Sequence, residues 1–205
     1  MSDADTVIVL DFETTGLSPD YGDRAIEIGA VKIQNGIIVD RFQALMNPGK
    51  PISRFIEDYT GITNQMLTMA APCDEVMEQF ADFIAGFNLV AHNASFDKRF
   101  LDAELSNIYR PYSGQFSCSM LVARRLFQQA PSHKLSSLVA LNNIQVEGEF
   151  HRALFDAEMT AKLWLVMLEQ LSNRFALVTV PFQLTQKLSK TPKKQVHKLL
   201  KSYQI

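Results

Sequence analysis

The first residues with a chemically useful spacing are Asp11 and Glu13, which follow a short run of β-branched residues. Residues i and i+2 of a strand point to the same face of a sheet, so both carboxylates project together. Two like charges this close repel each other and are usually retained for a cation. Carboxylate oxygens suit hard ions such as Mg²⁺ or Mn²⁺ rather than zinc. The pair therefore indicates a cation site, although the spacing alone also arises by chance.

A third carboxylate, Asp97, comes shortly after the apolar run 89–91 and lies in the first turn of a predicted helix, 95–105. Ligand sites in α/β sheets favour this position, beside the carboxyl ends of the strands. An acidic residue there also complements the helix dipole, and Asn93 has an alternative role as the helix N-cap. On the residues alone, both interpretations stay open.

His151 and Asp156 are five residues apart, near the start of a predicted helix over 152–171. On a regular helix they would point about 140° apart, so they converge only if His151 lies in the loop before the helix. Histidine changes protonation near neutral pH and commonly serves as a general base. A single histidine is nevertheless more often a surface or core residue than a catalyst.

The elements that must position these residues predict an α/β fold. Residues 7–10 form a short apolar run typical of a buried strand. The runs 25–33 and 37–45 are separated by Asn-Gly, which favours an antiparallel hairpin. The rest of the pattern alternates, with a helix between Pro72 and Gly86, a strand at 89–91, a helix at 95–105, a strand at 115–118, and helices at 120–127, 135–141 and 152–171.

Taken together and in this order, the five residues resemble the DnaQ-like exonucleases with the DEDDh signature. The three motifs are Asp-Phe-Glu-Thr-Thr-Gly-Leu at 11–17, His-Asn-Ala-Ser-Phe-Asp at 92–97 and His-Arg-Ala-Leu-Phe-Asp at 151–156. Further matches lie at 61–63 and 134–138. The chain is similar to the proofreading subunit of bacterial DNA polymerase III and to related stand-alone exonucleases. The resemblance spans residues 6–172.

The resemblance implies a ribonuclease H-like fold, with a mixed five-stranded sheet flanked by helices, and two divalent cations, Mg²⁺ or Mn²⁺. Asp11 would bridge both ions, Glu13 and Asp156 would complete the site of the attacking water, and Asp97 would serve the second ion. His151 would be the general base. Two such ions activate a water and stabilise the leaving oxygen of an in-line displacement.

The reaction implied by the resemblance is 3′–5′ exonucleolytic hydrolysis of single-stranded DNA, with release of nucleoside 5′-monophosphates. Two alternatives are trimming of RNA 3′ ends and a non-catalytic replication accessory module. The residues that match the family's pocket for the 3′ terminus are Thr14, Thr15, Leu17, Ile62 and Phe96. Backbone amides around Thr14 and Thr15 would hold the terminal hydroxyl, whereas the apolar members have an alternative role in the core.

Charge is unevenly distributed along the 205 residues, whose formal net charge is −2. All 22 acidic residues lie at or before Glu169, and six of the 20 basic residues are lysines after Phe175. We therefore predict an exonuclease domain at 1–174 and a basic C-terminal tail at 175–205. The basic side chains near the motifs, which are expected to meet phosphates, are Lys98, Arg99, Arg124, Arg125, Lys134 and Arg152.

The tail carries a short amphipathic pattern with lysines around an apolar stripe, formed by Val196, Leu199, Leu200 and Tyr203. Such a helix folds back on its own body, docks to a polymerase or replication partner, or contacts nucleic acid. The sequence also lacks a run of about 18 apolar residues and the features of a signal peptide. Its two cysteines, Cys73 and Cys118, have no metal-ligand spacing. We expect a cytoplasmic protein with no membrane contact.

Overall fold

The structure, a computed structural model, describes residues 3–146, 148 and 150–203. The strands are β1 (Val7–Thr14), β2 (Ala25–Gln34), β3 (Ile37–Asn47), β4 (Ala71–Pro72), β5 (Asn88–Ala91) and β6 (Phe116–Cys118). The α-helices are α1 (Arg54–Thr60), α2 (Asn64–Met69), α3 (Cys73–Ile84), α4 (Ser95–Asn107), α5 (Ser119–Leu126), α6 (Leu135–Leu141), α7 (Ala153–Phe175), α8 (Phe182–Lys190) and α9 (Val196–Lys201). Short 3₁₀ turns lie at Pro19–Tyr21 and Lys193–Gln195.

Within the described residues, the strands form one six-stranded mixed sheet in the order β4-β3-β2-β1-β5-β6. β1, β2 and β3 pair antiparallel, as the Asn-Gly turn predicts, whereas β5 and β6 run parallel to β1. The predicted α/β fold with a mixed sheet is confirmed, but the sheet has six strands rather than five. The additional strand, β4, has two residues and pairs with the end of β3. A segment this short has no periodicity for sequence reasoning to detect.

β1 is the central strand, and residues 7–10 are fully buried. One face of the sheet packs against α7 and the helices around it, in a core that includes Leu163 and Trp164. The other face packs against α3 and α4, in a core that includes Phe80 and Phe100. Because helices cover both faces, the carboxyl end of β1 opens only at the edge of the layers, where ligands bind in such sheets.

The two ends of the chain join the first of these cores. The indole Nε1 of Trp164 donates to the carbonyl of Ala4 at 2.7 Å, which fixes the segment before β1. In the tail, Leu188 and Leu200 are fully buried and Val196 is 6% exposed, in the same cluster as Trp164. The apolar stripe thus folds back on the body, and helix α8, which sequence reasoning missed, packs beside it. The division of the chain at residue 174 stays a prediction.

None of the helices in the described part of the chain combines the length and apolar character required to cross a membrane.

Candidate active site

Three carboxylates meet at the carboxyl end of β1. Ligand oxygens of Asp11 and Glu13, from β1, and of Asp156, from α7, all lie within 4.8 Å of one another. The fourth predicted carboxylate, Asp97 in the first turn of α4, is 2% exposed. Its Oδ1 accepts a hydrogen bond from the Phe12 N–H at 3.2 Å, between the two acidic residues of β1. The three sequence motifs therefore converge on one site.

A glycine and a buried carboxylate hold the start of α7 against β2. Gly29 lies opposite Asp11 in the β1–β2 ladder, and a Cβ atom there would fall 2.0 Å from the backbone nitrogen of Leu154. Only a residue without a side chain allows this approach. The fully buried Glu27 binds Arg152 at 2.7 and 3.1 Å and accepts the Ala153 N–H at 3.0 Å. These contacts place Asp156 beside the β1 carboxylates.

His151 lies in the loop directly before α7, as the convergence argument requires. Its backbone has a φ of +74°, a left-handed conformation that is uncommon for residues with a side chain. The backbone N–H of His151 donates to Oδ2 of Asp156 at 2.7 Å. Its imidazole is exposed and lies against the ring of Tyr59 from α1, with centroids 4.1 Å apart. His151 therefore borders the carboxylate cluster with its ring open to the cleft.

The crowding of carboxylates changes their acid–base behaviour. Desolvation, followed by the negative charges of neighbouring carboxylates, raises the pKa of Glu13 to about 8. Desolvation raises the pKa of Asp97 to about 7, against the opposing effect of its hydrogen bond from Phe12. The pKa of Asp11 is raised well above its usual value by desolvation and then by the charge of Asp97, and desolvation also raises the pKa of Asp156. Divalent cations would relieve this repulsion.

The carboxylates form the floor of a cleft of about 780 Å³. Four of the residues expected in the pocket for the substrate terminus line this cleft, namely Thr14, Thr15, Leu17 and Phe96. Leu17 is 79% exposed, so it is not a core residue. Ile62 does not line the cleft. It is fully buried in a small core with Ile26 and Leu67 and supports the wall from behind.

The hydrogen bonds of the 14–16 turn restrict what it can offer a substrate. The Thr15 N–H already donates to the carbonyl of Arg24 at 2.9 Å, so this amide is not available to a terminal hydroxyl. The hydroxyl of Thr15 donates to Asp23 at 3.0 Å, and that of Thr14 to the Gly16 carbonyl at 2.6 Å. Of the amides around Thr14 and Thr15, that of Thr15 is therefore occupied by a hydrogen bond directly beyond the paired ends of β1 and β2.

Sequence reasoning missed one wall of the cleft, which is formed by helix α1. Phe55 is 72% exposed and Tyr59 is 51% exposed, and their rings stack with centroids 5.9 Å apart. Both line the cleft. Exposed aromatic residues at helical spacing were a detectable signal, but α1 has seven residues, and its short apolar pattern was not recognised as a helix.

His92 also received no role from the sequence alone. It is mostly buried, and desolvation lowers its pKa to about 4. Its Nε2 lies 2.9 Å from the carbonyl of His133, and its Nδ1 lies 2.9 Å from the hydroxyl of Ser119. Because a carbonyl only accepts, Nε2 carries the proton. The single proton of the Ser119 hydroxyl then has two acceptors within reach, Nδ1 of His92 and, at 3.2 Å, the carbonyl of Ala91. The neutral imidazole thus joins the start of α4 to the loop before α6.

Several cations expected to meet phosphates have other partners. Arg152 binds Glu27, as described above, and Lys98 pairs with Asp102. Arg99 reaches the Leu17 carbonyl at 3.4 Å, so it supports the turn that carries this residue. Arg124 and Lys134 remain exposed.

The geometry can be compared with known proteins. A family model described as exonuclease matches residues 8–164, which include every carboxylate of the cluster and His151. The chain belongs to the DnaQ-like DEDDh exonuclease family. Members of this DEDDh family use divalent metal ions, in agreement with the acidic cluster of the present chain.

Among curated relatives, this DEDDh-family chain is 39% identical over 175 residues to the PolC-type DNA polymerase III of Bacillus cereus. It is 41% identical over 175 residues to the PolC-type DNA polymerase III of Thermotoga petrophila. The alignments cover 83% and 82% of this chain but 12% of each relative. The chain thus spans about an eighth of the length of the curated relatives it matches.

Two solved structures share the fold of this family member. Exonuclease X in complex with 5′ overhanging duplex DNA has a TM-score of 0.67 and 25% identity, and the match covers 95% of this chain and 99% of that one. The nuclease domain of 3′hExo, a DEDDh family member bound to rAMP, has a TM-score of 0.69 and 22% identity. That match covers 81% of this chain and 92% of the other.

Proposed function

We propose that the chain is a 3′–5′ exonuclease that hydrolyses phosphodiester bonds at the 3′ ends of single-stranded DNA and releases nucleoside 5′-monophosphates. The observation that carries this proposal is the convergence of Asp11, Glu13 and Asp156 within 4.8 Å, beside an exposed histidine in an open cleft. Such clustered carboxylates suit a cation site, and hydrolysis of a phosphate ester is chemistry that such a site supports.

The proposed cofactors are two divalent cations, Mg²⁺ or Mn²⁺, held by Asp11, Glu13, Asp97 and Asp156. The donor set fits this assignment, because it consists of carboxylate oxygens with no thiolate or imidazole among them. The raised pKa values of these groups fit it too, since a cation removes their mutual repulsion. When bound, such ions lower the pKa of water and stabilise charge on the leaving oxygen.

The side chains of the chain itself supply the proton transfer and the positioning. His151 is the proposed general base, which takes the proton of the attacking water into the open side of the cleft. The hydrogen bond from its backbone N–H to Asp156 fixes the loop that carries it. Thr14, Leu17 and Phe96 are the proposed contacts of the terminal nucleotide, with Ile62 behind the wall.

The exposed apolar side chains of the cleft support a frayed single strand as the substrate. Leu17, Phe55 and Tyr59 are exposed apolar side chains around its rim. Unpaired bases stack on such surfaces with little sequence preference. We propose single-stranded DNA as the substrate, and RNA is the alternative that the experiment below distinguishes. A role as a non-catalytic module is disfavoured, because crowded carboxylates with raised pKa values destabilise a fold that makes no use of them.

Association with a polymerase is a further part of the proposal, based on the PolC-type relatives. The apolar stripe of the tail is used inside the fold, so a polymerase would contact the outward lysine face of the tail instead. A cytoplasmic location remains a prediction from composition.

The experiment that tests the function uses matched DNA and RNA oligonucleotides, each labelled at the 5′ end, with Mg²⁺, Mn²⁺ or EDTA. We expect a ladder of products shortened one nucleotide at a time from the 3′ end of DNA, and no products in EDTA. Release of labelled mononucleotide from the 5′ end, or cleavage that persists in EDTA, would contradict the proposal. Faster shortening of RNA would instead favour the RNA alternative.

A further inference from the structure

Two further cavities are lined by the connection between α5 and α6, and the first of them adjoins the carboxylate cleft. The first has a volume of about 640 Å³ and carries Arg124 and Lys134. It shares part of its wall with the cleft, through His92, Asn93 and Leu135. The second has a volume of about 660 Å³ and is lined by residues 125–130, the preceding part of the same connection. The first cavity therefore adjoins the cleft, and the second is lined by the chain segment that directly precedes it in sequence.

The second cavity lies where the tail meets the body. Arg174, near the end of α7, and Lys193, in the 3₁₀ turn of the tail, both line it. Arg125 holds the tail in place, because its guanidinium donates to the carbonyls of Ser189 at 3.0 Å and Thr191 at 2.5 Å. The turn that carries Lys193 is thereby fixed against α5.

The charges along these two cavities have one sign. Arg124, Lys134, Arg174 and Lys193, here called the basic strip, are all exposed. Among the residues that the structure describes, none of the four pairs with a carboxylate, and no Asp or Glu lines either cavity. The chain as a whole carries a net charge of −2. Four basic side chains in cavities without acidic residues, on a chain with a negative net charge, are complementary to a linear polyanion.

We propose that the basic strip binds the phosphate backbone of a single strand on the 5′ side of the nucleotides in the cleft. The inference rests on the proposed function, because a 3′ end must occupy the cleft. Both cavities fall within the range of ordinary ligand pockets, about 300–1,000 Å³. The second also offers a ring pair, Phe175 and His197 with centroids 5.9 Å apart, on which a base can stack.

The strip gives the tail a function that its apolar stripe does not. Because the stripe is buried, it is not available to another protein, and the tail instead contributes Lys193 to the cavity that Arg174 also lines. A strand that is too short to leave the cleft makes no contact with these residues, whereas a longer strand gains phosphate contacts at each cavity. The affinity of the protein should therefore depend on strand length.

The test compares double variants of the full chain in EDTA, so that no strand is cleaved. Arg174→Gln with Lys193→Gln removes two strip charges, and Arg124→Gln with Lys134→Gln removes the other two. The matched control is Lys198→Gln with Lys201→Gln, which removes two charges from the same tail at positions that line neither cavity. Fluorescence anisotropy gives the Kd of oligothymidylates of about 4 and about 20 nucleotides. Circular dichroism melts confirm that each variant is folded.

We expect both strip variants to bind the long strand more weakly and the short strand as the wild type does. Each lost phosphate contact should flatten the slope of log Kd against log salt by about 0.7, so two should flatten it by about 1.4. The factor by which Kd rises between about 50 and about 200 mM salt would then be about sevenfold smaller in each strip variant than in the wild type. The control should keep the wild-type slope. An unchanged slope in the strip variants, or an equal change in the control, would overturn the proposal.

Cleavage of the short strand with Mn²⁺ separates this inference from the proposed function. If the wild type cleaves the short strand but the strip variants bind long strands normally, phosphate binding by the basic strip is refuted, and the proposed nuclease activity is supported. If the strip variants bind long strands weakly but the wild type cleaves nothing, the proposed nuclease activity is refuted. The basic strip then remains a strand-binding surface.

Discussion

The imidazole of His151 lies against the phenol ring of Tyr59, with the two ring centroids 4.1 Å apart and the planes tilted by 38°. Phe55, one turn earlier on α1, also stacks on Tyr59, with ring centroids 5.9 Å apart. Among the described residues no hydrogen bond to the His151 ring is found; its backbone N–H binds Asp156. An aromatic contact, rather than a polar one, thus orients the proposed general base.

The first prediction concerns His151 itself. His151→Ala should lower kcat by about 10²–10⁴-fold, the usual contribution of a general base. The fold and the increase in Tm on addition of Mn²⁺ should stay close to wild type, because the imidazole is exposed and the carboxylates are unchanged. Single-turnover rates near pH 7.5 and melting curves measure both quantities. A variant with near-wild-type turnover would remove His151 from the mechanism.

The second prediction concerns Tyr59. Tyr59→Ala should lower kcat by up to about 10²-fold, because a misplaced catalytic group can cost that much. Tyr59→Phe should retain most of the activity, since the ring and not the hydroxyl contacts His151. Phe55→Ala is the matched control, because Phe55 touches Tyr59 without reaching the imidazole, and it should raise KM more than it lowers kcat. Equal loss of activity in the Phe and Ala variants of Tyr59 would contradict the contact as the cause.

The third prediction tests how α7 is placed. Gly29→Ala should cost about 1–3 kcal/mol or more, because its Cβ would overlap the backbone at Leu154. It should also lower kcat, since the displaced helix carries Asp156. Gly36→Ala, in the β2–β3 turn with a φ of +76° and nothing within 4 Å of its Cβ, is the control for backbone strain alone. Activity should survive in Gly36→Ala. Retained kcat in a folded Gly29→Ala would show that the approach is not needed.

The fourth prediction concerns pH in the absence of divalent ions. The pKa of Glu13 is raised from 4.5 to about 8, and that of Asp97 from 3.8 to about 7. The folded protein therefore holds protons that the unfolded chain releases, so raising the pH from about 7 to about 8.5 should favour unfolding. His92, with its pKa lowered to about 4, stays mostly neutral in both states over this range.

Melting curves in EDTA measure this effect. Tm should fall as pH rises, and Glu13→Gln should flatten the slope, because it removes a titrating group and keeps its size. Divalent ions should raise Tm more at the higher pH, since they bind the deprotonated carboxylates. At equal concentration Mn²⁺ should act more strongly than Mg²⁺. A Tm that rises with pH in EDTA would contradict the crowding of the carboxylates.

Much of the fold follows from local patterns in the sequence. The Asn-Gly turn and the two apolar runs around it predicted the hairpin of β2 and β3, and the long apolar pattern predicted α7. Most of the missed elements are short; the exception is α8, which has nine residues. β4 has two residues, and α1 and α2 have seven and six, so their positions depend on tertiary contacts rather than on periodicity.

The candidate site likewise combines residues that the sequence identifies with residues whose roles depend on tertiary contacts. The five motif residues could be identified because together, and in this order, they resemble the DEDDh signature, whereas the spacing of each motif alone left alternatives open. The structure brings them together. Tyr59 and Glu27 could not be identified from the sequence. Tyr59 contributes through a ring contact from a helix that is distant in sequence, and Glu27 contributes through a buried ion pair with Arg152. The availability of the Thr15 amide depends on its partner just before the neighbouring strand, which spacing does not reveal.

The most direct test of exonuclease activity at the carboxylate cluster is the rate at which purified protein shortens a 5′-labelled single strand in Mn²⁺. This rate is compared between wild type and Asp11→Asn. Asp20→Asn is the control, because Asp20 is exposed and lies outside the cleft. We expect shortening from the 3′ end that EDTA abolishes, a loss of about 10²-fold or more in Asp11→Asn, and wild-type rates in Asp20→Asn. Unchanged shortening in Asp11→Asn, or none in the wild type, would contradict exonuclease activity at this cluster.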